Sequence, residues 1–419
     1  LKKDDWLIPL VYCEFWIAGA LSLVQPFFPL LAYSKGLDAW EIGLVFSTLK
    51  LSMFVGSLLG NRMMKATSPL TCYLVGQIGF VIFTVTFGCL FWAPAGNVFL
   101  GLSFLLVILG GFTNTLYLVA MFALFTTRFQ KGAGLIMAMN FTQALLEILW
   151  GTGNMVGSPI GGALIDLWAF PLPFFVLGFI TIVSFPMTVK LGSSLNELGS
   201  KFYRSSTSED DAKLSEVKYR NLFRDVEFVA YLVAPMLCWI ILGFNEPTLA
   251  PSVAEFNISS TQTGELYTVQ FGSYSIGGAI AGILCFLNGE AFYQFVGNIF
   301  AVLAFLIIGP APFIQLKREL WVVHLSQVFT GLGMSALFIC GYSRALKLVV
   351  LRGYPYNIHS NGFVSSSVFT FAVFGAMIMP PIAGYLVGTF GYRIASLAMF
   401  GLLLAWLPVT FALWMKSLC

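Results

Sequence analysis

The sequence predicts an all-α membrane protein of twelve transmembrane helices in two pseudo-symmetric six-helix halves. Composition is the first sign: 58% of residues are apolar and 16% aromatic, while only 10% are charged. Soluble domains carry charge on about a quarter of their residues. Run length is the second, since apolar stretches recur at the roughly 20 residues that a spanning helix needs, about twice the length of an outer-membrane strand. The third is internal repetition. Pro26, Gly43 and Gly56 recur as Pro247, Gly264 and Gly277, each 221 positions on, and Pro159-Ile160 with Gly162 recurs as Pro381-Ile382 with Gly384, 222 positions on.

Glycine, proline and charge punctuation places the helices near 6–32, 40–64, 70–92, 98–127, 133–166, 169–190, 228–252, 262–287, 292–313, 319–343, 360–388 and 392–415. The polar segment 191–227, with Ser205-Ser206-Thr207-Ser208-Glu209-Asp210-Asp211, reads as a flexible cytosolic linker between an N-terminal half, 1–190, and a C-terminal half, 228–419. The chain opens on Leu1 with no cleavable signal, so its natural start is expected upstream and its first apolar run reads as a retained helix.

With the N-terminus inside, inner loops and tails hold Lys2, Lys3, Arg62, Lys65, Arg128, Lys131, Arg344, Lys347, Arg352 and Lys416, against Lys35, Lys317, Arg318 and Arg393 outside. That excess favours cytosolic termini. The sequon Asn257-Ile258-Ser259 then falls in an outer loop, whereas Asn140-Phe141-Thr142 lies within helix five. The formal net charge of +3 is spread over loops and points to no nucleic-acid partner.

In helix one, Glu14 precedes Gln25 by eleven residues, which in a continuous helix puts both on one face, roughly 16 Å apart. A snorkelling or interhelix-bonded acid is the plainer alternative for Glu14. Helix two carries Lys50, either a displaceable counter-ion or a simple pairing partner, and a small-residue line at Gly56-Ser57-Leu58-Leu59-Gly60. Helix five carries Glu147, flanked by Asn140, Gln143 and Asn154 on one stripe, which lines either a cavity or an interhelix hydrogen-bond seam. Gly153, Gly157 and Gly161 form a small-xxx-small line in the same helix, with Pro159 adding a bend.

Helix seven holds the stretch of most interest, Phe244-Asn245-Glu246-Pro247-Thr248-Leu249. A carboxylate facing lipid costs at least a few kcal/mol, so Glu246 should face protein or a watery cavity, where intramembrane acids do functional work. Pro247 removes a backbone donor and tends to bend or break the helix. Its repeat counterpart Gln25-Pro26 is neutral, so the acid is an asymmetric addition. Pairing with Lys50 to hold two halves together is the alternative for Glu246.

Helix eight places Tyr267, Gln270, Phe271 and Tyr274 nearly on one face, either an aromatic cage for an amine or core packing. His324 in helix ten reads as a hydrogen-bonded core residue, with titration the rarer alternative. The seven cysteines lack paired spacing and read as small core residues, with neither disulfide framework nor metal site expected. Nucleotide-binding, zinc-hydrolase and nucleophile-elbow signatures are absent, so the chain is read as no enzyme, without catalytic residues.

Several of these motifs carry a family resemblance. Gly157-Ser158-Pro159-Ile160-Gly161-Gly162 resembles the helix-five motif of major facilitator drug/proton antiporters, with the proline one place late. Glu246-Pro247-Thr248-Leu249 and Ser273-Tyr274-Ser275-Ile276-Gly277 are similar to segments of vesicular amine transporters. Glu147, ten residues before the glycine motif, and Gly309-Pro310-Ala311-Pro312 bring the likeness nearest to the vesicular polyamine transporter branch. The loop Gly60-Asn61-Arg62-Met63-Met64-Lys65 departs from the general facilitator motif by lacking its acid, and helices ten and eleven lack the aspartates of the monoamine members.

The resemblance implies the major facilitator fold and exchange of luminal protons for cytosolic organic cations. On that reading Glu246, Glu147, Glu14, Tyr274, Tyr267, Asn154 and Gln25 bind substrate or proton, while Gly157, Pro159, Gly161, Gly162 and Pro247 shape the helices. The expected partners are a small organic cation, protons and the bilayer, in a monomer that needs no cofactor beyond a proton gradient. An acidic vesicle is the expected location. Two other functions fit the same shell. One is a proton-independent facilitator of a neutral or anionic solute, and the other a non-transporting receptor or scaffold.

Overall fold

The computed structural model describes residues 7–127, 133–190, 220–315, 317–354 and 358–418. Its helices are α1 (Leu7–Leu21), α2 (Val24–Ser34), α3 (Ala39–Ala66), α4 (Pro69–Gly88), α5 (Asn97–Thr127), α6 (Ala133–Leu167), α7 (Pro171–Ile182) and α8 (Phe185–Lys190). They continue with α9 (Val226–Val253), α10 (Ser260–Phe286), α11 (Glu290–Ile308), α12 (Leu320–Ser335), α13 (Gly341–Leu351), α14 (Ile358–Phe390) and α15 (Tyr392–Leu418). A π-helical turn, Ala336–Cys340, joins α12 to α13. Counting α1 with α2, α7 with α8 and α12 with α13 as interrupted runs, the twelve predicted helices are all present. Among the described residues, 11 runs are long and apolar enough to cross a membrane, and α6 with its 35 residues is the other.

The surface inverts the soluble pattern. Ile108, Phe179, Ile283 and Phe286 stand exposed, whereas Gln77, Gln294, Asn298 and Gln327 are buried. Lipid solvates the first group, and some of the second find partners inside. The Gln77 Nε2 donates to the Thr181 carbonyl at 3.1 Å and to Ser184 Oγ at 2.9 Å, tying α4 to the α7–α8 run.

The chain forms two compact units. Unit 1 comprises Leu1–Leu37, Leu44–Ser208 and Ser259–Glu265; unit 2 comprises Asp38–Gly43, Glu209–Ile258 and Leu266–Cys419. Most of the segment expected to be a linker, residues 191–219, lies outside the described residues. Aromatic packing fills unit 1, with Phe28 against Phe46, Phe87 and Phe99 at centroid distances of 5.9, 5.3 and 6.1 Å. In unit 2, Phe244 packs edge-on against Phe305 at 5.5 Å.

The helix-five glycine line sets the approach of α6 to α1. A Cβ at Gly157 would overlap Gly19 and Ser22, and one at Gly153 would overlap the Phe15 carbonyl and Ala18. Only hydrogen leaves room for the two backbones. Gly157→Val should therefore destabilise the protein by about 1–3 kcal/mol, read as an earlier midpoint in a thermal melt of the detergent-solubilised chain. An unchanged melt would mean that α1 and α6 are not held at this spacing.

The sequence repeat reappears as repeated packing. In unit 1, Gly162 meets the backbone of Ser260 while Gly264 meets Ser158 and Pro159. In unit 2, Gly384 meets the backbone of Ala39 while Gly43 meets Pro380 and Pro381. One contact has no repeat equivalent. Asp166, at the end of α6, accepts the N–H groups of Ser260 at 3.0 Å and Thr261 at 2.8 Å and the Thr261 hydroxyl at 2.6 Å, capping α10. The residue 222 positions on is Gly388, which has no side chain to offer.

Two expectations about the prolines need correcting. Pro247 does not break its helix, because α9 is continuous through Pro235, Pro247 and Pro251. The Gly243 and Pro247 carbonyls lose their usual N–H donors to Pro247 and Pro251 without the helix breaking. Nearby hydroxyls add bonds to other carbonyls, from Thr248 Oγ to Phe244 at 2.5 Å and from Ser252 Oγ to Leu249 at 2.7 Å. The break occurs at the neutral counterpart instead. The run α1–α2 is interrupted between Leu21 and Val24, just ahead of Pro26, which cannot donate to the Ser22 carbonyl. That carbonyl accepts a long hydrogen bond, 3.4 Å, from Ser158 Oγ of the helix-five motif. The interruption also removes the assumption that placed Glu14 and Gln25 on one face, since they belong to separate helices.

Candidate functional site

The predicted polar residues fall in both units. In unit 1, Glu14 on α1 is only 5% exposed, and its Oε2 has no hydrogen-bond partner among the described residues. Tyr117 of α5 lies within hydrogen-bonding reach of Glu14, and Glu147 of α6 is near enough for its charge to act there. The Tyr117 ring packs at 4.9 Å from that of Tyr73, and both hydroxyls approach the Cys13 thiol. A pair of acids with tyrosines beside one of them is thus a built feature of unit 1.

The other unit 1 residues have more local roles or different surroundings. Asn154 is buried, and its Nδ2 donates to the Trp150 carbonyl one turn back at 2.7 Å, so part of its polarity is spent within α6. Gln25 on α2 and Lys50 on α3 are both buried. The side chains of Asn140 and Gln143, predicted to extend the Glu147 stripe, lie outside the described residues.

In unit 2, Glu246 is 1% exposed on α9, and Tyr267 of α10 lies within reach of its charge. Tyr267, Gln270, Phe271 and Tyr274 are all buried, as one shared helical face requires. Gln270 Nε2 points to Met334 Sδ at 3.5 Å. Beside Glu246, the buried Asn245 has no hydrogen-bond partner for either amide atom among the described residues. Open polar capacity next to a buried acid suits a ligand better than a finished core. His324 takes the plainer role, with Nδ1 2.9 Å from the Leu320 carbonyl of its own helix.

A second charged cluster in unit 2 went unread in the sequence. Glu290, at the start of α11, is fully buried between Lys347 Nζ at 2.9 Å and Arg344 Nη1 at 3.4 Å. Arg344 also donates to Tyr231 Oη and lies 5.5 Å from that ring. Farther along, Arg352 bridges Asp225 at 2.7 Å and Glu227 at 3.4 Å, and Lys416 joins Glu227 at 2.6 Å.

Asp225 makes stability depend on pH. Partial burial pushes its carboxyl upward, but hydrogen bonds from the Arg352 guanidinium and the Glu227 N–H outweigh this and hold it below the usual carboxylate range. The stabilisation is therefore complete above the unfolded value, about 3.9, and is lost as pH falls through the lower folded value. Melts from pH 7 to pH 3 should show Arg352→Ala flattening that acid limb, and an unaltered limb would exclude the pair as its source.

A helical membrane chain with an internal six-helix repeat and buried carboxylates in its spans defines a polytopic transporter rather than an enzyme. The chain belongs to the Major Facilitator Superfamily, whose profile matches residues 10–354. It is 24% identical over 378 residues to the rat protein named MFS-type transporter SLC18B1, covering 90% of this chain and 78% of the relative. The human protein of that name is 23% identical over 378 residues, with the same shares covered. Among solved structures, the nucleoside transporter NupG aligns with a TM-score of 0.72 at 13% identity, over 98% of this chain and 99% of that one. A POT family transporter in complex with 5-aminolevulinic acid aligns with a TM-score of 0.73 at 12% identity, over 98% and 96%. At these identities the structures speak for the fold alone.

Proposed function

We propose that the protein is a proton-coupled antiporter that moves a small organic cation, a polyamine, into acidic vesicles by alternating access. The observation that carries this reading is Glu14, a buried carboxylate with one oxygen unpartnered among the described residues and a second acid, Glu147, within electrostatic reach. Two negative charges in a low-dielectric setting call for positive charge, and either protons or a multivalent amine supply it. Glu246, with Tyr267 at hand, serves the same competition in unit 2, and the buried Tyr274 and Asn154 serve as further polar groups for substrate, each within its own unit. Lys50 acts as a counter-ion that the substrate displaces.

Coupling needs no covalent step. If a carboxylate is neutralised by a proton when exposed to the acidic side and by an amine when exposed to the other, one site carries each in opposite directions. The expected orientation, with cytosolic termini, sends protons outward as the amine enters the vesicle. The SLC18B1 relatives support a transporter, and the resemblance of Glu246-Pro247-Thr248-Leu249 to segments of vesicular amine transporters supports a vesicle-type membrane. In proteoliposomes acidified inside, external spermidine should be taken up and protons released, and an uncoupler should stop both. Uptake indifferent to the gradient would favour a facilitator instead.

A further inference from the structure

We propose that unit 2 carries an anion site for a phosphate group, in the cavity lined by Lys317, Arg318 and Arg393. The cavity measures about 760 Å³ and also takes in Tyr392, Glu255 and the Gly309-Pro310 loop. That volume is ample for a small ligand. This inference does not rest on the antiport reading, since three cations in one cavity repel the amine proposed above.

The charges do not cancel. Glu255 is the one acid in the lining, and its Oε1 already faces Arg318 Nη1 at 2.5 Å. Arg318 is otherwise consumed by structure: Nε donates to the Ile308 carbonyl at 2.9 Å, Nη1 to the Ser252 carbonyl at 2.8 Å and Nη2 to Ser252 Oγ at 2.9 Å. Its guanidinium lies 4.7 Å from the Tyr392 ring. It forms a fixed wall, paired with the acid. Lys317 and Arg393 remain as the uncompensated charges.

Lys317 is exposed and has no hydrogen bond or ion pair among the described residues. Arg393 uses Nε to hold the Pro310 carbonyl at 2.6 Å, which orients the guanidinium beside the cavity and leaves its terminal nitrogens without a protein acceptor among the described residues. The cavity lies at the first residues of the 27-residue α15, whose N-terminal dipole adds positive potential. An ammonium and a guanidinium fork at a helix N-terminus match a tetrahedral oxyanion. The Gly309-Pro310-Ala311-Pro312 motif thereby gains a role, because its second carbonyl fixes one of the two anion donors.

A phospholipid headgroup and a free phosphate share this chemistry, so the test carries two probes. Thermal shift of the purified full chain is measured against inorganic phosphate, and native mass spectrometry counts phosphatidylglycerol retained from mixed phosphatidylcholine vesicles. Lys317→Glu alters an exposed side chain with no partner to lose and should weaken binding of the effective probe about tenfold or more. Arg393→Lys, which keeps the charge but loses the fork, should weaken it less. Loss of lipid retention with phosphate inert identifies a headgroup, and loss of the phosphate response identifies a free anion. If wild type responds to neither probe, or Lys317→Glu and wild type respond alike to both, the site does not exist.

Discussion

Replacing Glu290 by alanine is expected to lower stability by about 3–5 kcal/mol, the largest structural effect of any single substitution considered. Glu290 is completely buried, and its Oε1 is shared by Lys347 at 2.9 Å and Arg344 at 3.4 Å. Removing it leaves Arg344, only 18% exposed, and Lys347 side by side without the acid they share, and a largely buried charge without its partner costs more than the intact pair contributed. Lys347→Ala should lose far less, about 1 kcal/mol, because Lys347 keeps 35% of its side-chain exposure and Arg344 still answers the acid. The check is a size-exclusion thermal melt of both variants in detergent. Equal melts for the two would mean that Glu290 is not the hub of the cluster.

The largest functional effect is expected at Glu246. Glu246→Gln keeps the shape and most hydrogen-bonding capacity of a side chain only 1% exposed, and removes its ability to trade a proton for a cation. Spermidine-driven proton release in proteoliposomes should fall roughly 100-fold, in line with the loss of one buried charge partner. Glu14→Gln should also reduce exchange. Because Glu147 lies within electrostatic reach of Glu14 and can assume part of its role, that loss should be smaller. Both variants should melt near the wild type, which separates them from Glu290→Ala. Exchange unaltered in Glu246→Gln would leave that acid with a structural part only.

The architecture was legible because membrane spans announce themselves by length and apolarity, and because the 221-residue and 222-residue spacings tie glycines to their repeat partners. Gly43 on Pro381 and Gly264 on Pro159 are those spacings made physical. Proline behaviour was not legible. Pro26 and Pro247 carry the same local chemistry, yet only the first interrupts its run, while α9 continues through the second. The local sequence does not distinguish the two prolines.

The candidate site was legible residue by residue but not in its company. Glu14, Glu147 and Glu246 stood out as acids in apolar runs, whereas Tyr117 and Tyr73 are two tyrosines among 15 and carry no signal until α4 and α5 bring them to α1. Glu290 was missed for a related reason. It follows Asn288-Gly289 at a helix start, where an acid is ordinary, and its partners Arg344 and Lys347 lie more than fifty residues on. Asn245 was in view within the stretch around Glu246, and only the structure reveals that neither end of its amide is used among the described residues.

Proton release on amine binding is the most direct measurement of the central claim that hydrogen ions and amines contend for the same buried carboxylates. Spermidine is titrated calorimetrically into the purified protein at matched pH in two buffers of different ionisation enthalpy. Competition predicts an apparent heat that changes with the buffer, corresponding to net proton release, and a Kd that tightens as pH rises from 5.5 to 7.5. A heat independent of buffer, with a Kd flat across that range, would contradict it.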